Sequence, residues 1–210
     1  MIKLVNCSIK YEKHPIFSGL TLAINPGEKY LIDGPSGTGK SSLLKALLGF
    51  VPFHTGEAAI AKLPINAHNI KKIRQQTAYL PQEINQPFDR ISDLFYAPHH
   101  WKNNHKKSST QEVKNQLARF NLDEGILSKT YSTASGGQKQ RLLLASILLL
   151  NKPVLLLDEA FSALDTQNVD RVMKFLVAQK EITMLIVAHN VHYEQYNLKK
   201  LYLPDFNQSS

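Results

Sequence analysis

The segment Gly34-Pro35-Ser36-Gly37-Thr38-Gly39-Lys40-Ser41 fits the spacing G-x-x-x-x-G-K-[ST], set between an apolar extended run and a helix-forming one. Glycines there let backbone N–H groups curl round phosphate oxygens, and the N-terminus of the following helix adds positive potential. Lys40 would reach the β/γ oxygens and Ser41 would ligate Mg²⁺. A Gly/Ser loop that merely opens a helix has no need of the Lys-Ser pair. Further along, the apolar run Val154-Leu155-Leu156-Leu157 ends in Asp158-Glu159. The carboxyl end of a buried strand is where ligands of open α/β sheets collect. Asp158 would hold the metal shell and Glu159 would orient and polarise an attacking water, because phosphoryl transfer depends mainly on positioning and charge stabilisation. Alone, Asp-Glu after a strand is an ordinary solvated turn; beside Lys40 it reads as chemistry.

Between these two elements lies Ala134-Ser135-Gly136-Gly137-Gln138-Lys139-Gln140-Arg141. It resembles the signature segment that separates ABC ATPases from other P-loop enzymes. Ala134 stands where the family usually has Leu, which removes an apolar anchor and leaves Ser-Gly-Gly-Gln intact. Gln82 in Tyr79-Leu80-Pro81-Gln82 resembles the Q-loop, Ser162-Ala163-Leu164-Asp165 the D-loop, and His189 in Ile186-Val187-Ala188-His189 the switch histidine. The six motifs occur in the family's order.

The resemblance implies an ATPase that uses ATP and Mg²⁺. It implies nucleotide contacts from Gly34, Pro35, Ser36, Gly37, Thr38, Gly39, Lys40, Ser41 and Ser42, with Ser41, Gln82 and Asp158 at the metal. Lys40, Glu159 and His189 are the expected catalytic groups. Ser135, Gly136, Gly137 and Gln138 would cap the nucleotide held by a second copy, so a monomer would have half-built sites. Tyr11 stands where such proteins often stack an aromatic on adenine, and a tyrosine near a strand end is equally a packing residue.

These groups need a scaffold. Ile2/Leu4 and Leu20/Leu22/Ile24 alternate with period two, and Asn25-Pro26-Gly27 turns the chain before Lys29–Asp33, so the first sixty residues read as short strands. Lys40–Leu48 has strong helix formers and stops at Gly49. From Ile84 to Leu150 prolines and a polar run give way to Val113/Leu117/Phe120 at helical spacing and then a Leu-rich helix. After Pro153, Val154–Leu157 and Ile182–Val187 read as buried parallel strands around a helix near Gln167–Gln179. The fold class is α/β. In the family's terms it is a P-loop, RecA-like core with an N-terminal antiparallel β subdomain and an inserted α-helical subdomain. The expected division is 1–83 with 151–205 for the ATP-binding core and 84–150 for the helical signature subdomain, all within one domain of 1–210.

Composition sets further bounds. The 210 residues, 43% of them hydrophobic, suit one domain with an insertion. No apolar run reaches the length of a membrane span, and the N-terminus lacks a signal-peptide core, so residence in the cytoplasm is expected. Cys7 is the single cysteine and reads as strand filler. The formal charge of +8 fits a nucleic-acid binder, a neighbour of anionic lipid, or a merely basic surface. His99, His100 and His105 around Trp101 lack ligand spacing and sit among lysines, which argues for a solvated loop rather than a metal site.

By resemblance, the chain is a cytoplasmic cassette, peripheral on the inner face of the cell membrane, partnered by a second copy of itself and by a separate integral membrane permease. It is loosely similar to small bacterial metal- or iron-export cassettes. The segment from Glu83 to Pro98 would meet the permease, with Phe88, Leu94 and Phe95 as apolar contacts. The alternative is a soluble ABC ATPase acting on ribosomes or nucleic acid. A single cassette without coiled-coil or zinc insertions argues against it, and Glu159 with His189 argues against a cassette that no longer turns over.

Overall fold

The computed structural model of the chain describes residues 1–12, 14–82, 88–100, 108–188 and 193–206, with the side chains of residues 99 and 100 excepted. In chain order the elements are β1 (Ile2–Tyr11), β2 (His14–Ile24), β3 (Lys29–Asp33), α1 (Lys40–Leu47), β4 (Thr55–Ile60), β5 (Leu63–Pro64), α2 (Ile70–Gln75) and β6 (Thr77–Leu80). There follow α3 (Ile91–Tyr96), α4 (Thr110–Arg119), α5 (Gly136–Leu149), β7 (Val154–Asp158), α6 (Thr166–Ala178), β8 (Thr183–Val187) and β9 (Lys199–Tyr202).

Two sheets form. The first is antiparallel, in the order β2-β1-β4-β5. Its strands alternate because one face is covered: Ile2, Leu4, Cys7 and Ile9 of β1 are buried while Lys3 and Val5 are exposed. Cys7 is fully buried, its thiol donates to the Glu57 carbonyl at 3.2 Å, and burial pushes its pKa up, so it is an inert core residue. The second sheet is parallel, in the order β6-β7-β8-β3-β9. All five residues of β7 and of β8 are buried, as strands covered on both faces must be.

The alternation along β7 and β8 divides the interior into two layers. Leu155, Leu157, Met184 and Ile186 face a core shared with α3, α4, α5 and α6. Val154, Leu156, Leu185 and Val187 face the core built with α1 and the antiparallel sheet. Every strand of the parallel sheet points its carboxyl end to the same edge. That edge receives the loop after β3, the acids after β7 and the segment after β6, and so gathers residues far apart in sequence.

Helix α3 overturns one expectation. Leu94 and Phe95 are 3% and 1% exposed and belong to the core shared with α4 and α5, so neither is free to touch a partner. Ile91, Leu94 and Phe95 share one helical face by their i, i+3, i+4 spacing, and that face packs inward. Phe88 is half-buried against the same core. Residues 83–87 of the expected partner segment lie outside the described residues, as do Trp101 and His105.

Candidate functional site

The loop after β3 closes on α1 through backbone that only glycine tolerates well. Gly39, the residue capping α1, has φ 94°, and a Cβ there would lie 2.1 Å from Ile16 Cγ2 of β2. The tight approach presses the start of α1 against the antiparallel sheet and aims its N-terminus along the loop. Lys40 is 5% exposed, and its ammonium donates to the carbonyls of Gly34 and Pro35, each at 2.8 Å. Burial lowers its pKa, while Glu159, Asp33 and Asp158 pull the other way. The lysine thus stands inside its own loop as a preset cation, with acceptors that an incoming phosphate oxygen can replace.

Ser41, one residue on, donates from Oγ to Asp158 Oδ1 at 2.8 Å. Asp158 ends β7 at 1% exposure, and Tyr79 of β6 donates its hydroxyl to Oδ2 at 3.4 Å. Desolvation raises the Asp158 pKa, and the Ser41 hydrogen bond is the chief effect opposing it. Tyr79 was not legible as a site residue. Its phenol is itself pushed up, by burial first and by Asp158 second. Ser41, Asp158, Tyr79 and Gln82 line one cavity of about 600 Å³ with Lys45, Phe50 and Pro81.

Glu159 follows at φ 51°, in the left-handed region, with its N–H donating to Val187 O at 2.8 Å. That bond ties the exit of β7 to the end of β8 and turns the Glu159 carboxylate toward Gln82, whose Nε2 donates to Oε2 at 2.9 Å. The two residues are 77 positions apart, yet both follow carboxyl ends of paired parallel strands. His189 lies outside the described residues.

The Ser-Gly-Gly-Gln segment opens α5. Ser135 Oγ accepts from Gln138 N at 3.3 Å, and Gln138 Oε1 accepts from Ser135 N at 3.0 Å. This is a reciprocal capping box, a device that satisfies two of the orphan N–H groups of the helix start. Gly136 has open space where a Cβ would be, whereas a Cβ on Gly137 would come 3.1 Å from Ala163 O. Ala134 is buried in the core, so the smaller residue still serves as an inward anchor.

Gln140, also not singled out by spacing, joins this helix to the segment after the acids. Its Nε2 donates to Glu159 O at 3.3 Å and Ser162 Oγ at 3.2 Å, and its Oε1 accepts from Ala163 N at 2.7 Å. Asp165 then caps α6 by accepting from Asn168 N at 2.9 Å. Tyr11 stands 49% exposed at the end of β1, opposite His14 of β2, so it does no core packing.

A family model described as ABC transporter matches residues 17–162. The chain belongs to the ABC transporter family. It is 32% identical over 200 residues to the probable ABC transporter ATP-binding protein PEB1C of Campylobacter jejuni, covering 91% of this chain and 81% of that protein. The fold is that of a putative ABC transporter ATP-binding protein from Pyrococcus furiosus, with a TM-score of 0.83, 24% identity and 99% of both chains covered. It is equally that of the bacterial ABC transporter cassette MJ0796, with a TM-score of 0.81, 24% identity, and 96% and 94% covered. This ABC cassette is the ATP-binding subunit of a transporter: it hydrolyses ATP to ADP and phosphate and couples that reaction to a membrane permease. Among the described residues, no helix of the cassette is long and apolar enough to cross a membrane.

Proposed function

We propose that two copies of the cassette close on two ATP molecules, each held by the phosphate loop of one copy and the Ser135–Gln138 helix start of the other, and that this closure drives the permease. Support comes from one arrangement above all: the Ser41–Asp158 pair and the Gln82–Glu159 pair stand next to each other at one sheet edge. MJ0796, which shares the fold, has been solved as a dimer.

Each residue then has a task. Lys40 exchanges the Gly34 and Pro35 carbonyls for phosphate oxygens, and Ser36–Ser42 offer backbone N–H groups at the start of α1. Glu159 holds the attacking water and takes up its proton at the carboxylate, while Gln82 fixes which way that carboxylate faces. His189 is retained as the switch histidine, and Tyr11, being exposed, is free to stack on adenine. The helix start of α5 offers N–H groups and positive potential to the γ-phosphate across the dimer.

The donor set suits Mg²⁺. Ser41 Oγ and the two oxygens of Asp158 are hard ligands in one cavity with the Gln82 amide, and Mg²⁺ characteristically takes one or two carboxylates and completes its shell with phosphates and water. When bound, Mg²⁺ neutralises charge on the β/γ oxygens. The cassette works on the cytoplasmic face of the membrane, held there by the permease.

The deciding experiment compares Glu159→Gln with wild type by light scattering with Mg·ATP. The variant should bind ATP, fail to turn over and accumulate as a dimer. A variant that stays monomeric with saturating ATP would remove the two-copy site.

A further inference from the structure

Asp33 is an acid immediately before a loop that must hold a polyanion. An uncompensated carboxylate there would oppose the phosphates, since charge–charge energies fall off only as the inverse of distance at the partly buried edge of a protein. The structure supplies two partners for it. Oδ1 accepts the Gly34 N–H at 2.8 Å, and Oδ2 meets Lys200 Nζ at 2.7 Å. Gly34 is therefore gripped from both sides, by Asp33 at its N–H and by Lys40 at its carbonyl.

Lys200 reaches Asp33 because β9 runs parallel to β3, with Leu31 opposite Lys200 and Asp33 opposite Tyr202. The chain then turns through Leu203–Phe206 and places Pro204 behind the loop. A Cβ on Gly34, whose φ is 144°, would lie 2.8 Å from Pro204 Cδ. So β9 and the turn after it form the back wall of the phosphate loop, and Lys200 is the one residue of that wall paired to the loop's leading acid. The Lys200 ammonium holds the Asp33 carboxyl below the usual range, and the Asp33 and Lys40 charges feel each other.

We propose that Lys200 is a positioning residue for nucleotide binding: it neutralises Asp33 and keeps that carboxylate seated on the Gly34 N–H, so that the net field at the loop stays positive and Lys40 is presented to the phosphates. This rests on the assignment of the loop as the ATP site. Lys200 touches no reacting atom, so its removal acts on affinity and not on the chemical step.

The test measures ATP affinity by calorimetry, and KM and kcat for ATP, in wild type, Lys200→Met, Lys200→Arg, Asp33→Asn and the Asp33→Asn/Lys200→Met double variant. Lys200→Met keeps the aliphatic stem and should weaken ATP about fivefold to tenfold at low salt, with kcat at saturation within about twofold. The deficit should shrink in about 0.5 M salt, where exposed charges are screened. Lys200→Arg should restore affinity, and the double variant should bind within about twofold of Asp33→Asn. The proposal is overturned by a Lys200→Met protein of wild-type affinity, or by a double variant as weak as Lys200→Met. A Lys200→Met protein with lowered melting temperature and a salt-independent deficit would overturn it too, since that marks a structural role. If wild type fails to bind ATP, or binds it as well with Lys40→Ala, the ATP-site assignment itself is at fault.

Discussion

The Gln82 amide donates to Glu159 Oε2 at 2.9 Å, so the acid proposed to hold the attacking water is already oriented by a residue on a different strand exit. Gln82→Ala should therefore lower kcat about tenfold, a larger effect than any weakening of Mg·ATP binding, the size expected when one charge-assisted hydrogen bond is lost from a positioned catalytic group. Steady-state ATPase kinetics with a parallel binding titration would show it. A rise in KM alone would place Gln82 in ground-state binding instead.

Lys40→Ala removes the preset cation of the phosphate loop together with its two carbonyl contacts. Mg·ATP binding should weaken by at least about a hundredfold and turnover should vanish, because a charged hydrogen-bond donor facing the phosphates is lost. Calorimetry and phosphate release both read this out. Unchanged ATPase activity would be incompatible with the loop assignment.

Gln140 fastens the signature helix to the backbone of Glu159 and Ala163 and to the Ser162 hydroxyl. Gln140→Ala gives up three contacts worth about 0.5–1.5 kcal/mol each before relaxation. The expected result is a kcat reduced about tenfold with KM for ATP within about twofold. Gln140→Glu keeps the acceptor for the Ala163 N–H and should recover part of the loss. Equal rates in Gln140→Ala and wild type would show that α5 and the Glu159 segment are held together by packing alone.

Acid titration offers a test far from the nucleotide. Glu28, just before β3, meets Lys199 of β9 at 2.6 Å, and that hydrogen bond, followed by the Asn25 backbone, holds its pKa at about 2 against an ordinary 4.5. A carboxyl depressed on folding adds stability that is complete above the unfolded value and is lost as pH falls through the folded one. Urea unfolding between pH 4.5 and about 2 should therefore show a shallower decline for Lys199→Met than for wild type. Parallel curves would mean that solvent screens the pair completely.

Much of the site is legible from neighbouring residues in the chain. The phosphate loop, the Val154–Glu159 strand end and the Ser135–Gln138 helix start are each contiguous, and contiguous patterns carry their own chemistry. Capping in Ser-x-x-Gln is legible too, since that spacing marks a helix start whatever else the residues contact. Tyr79, Gln140 and Lys200 are different. Their partners Asp158, Ala163 and Asp33 are brought to them by strand order and helix packing, and nothing within a few residues of each announces the contact. The burial of Leu94 and Phe95 was written in their spacing with Ile91; a count of apolar residues in that segment misses it, and the helical period finds it.

The partition of the interior by β7 reaches beyond packing. The strand that delivers Asp158 and Glu159 contributes alternate side chains to both hydrophobic layers, so each layer grips it from its own side. Loosening of either layer should disturb the seat of Asp158 and Glu159, so heat is expected to extinguish ATP turnover together with the fold, in a single step.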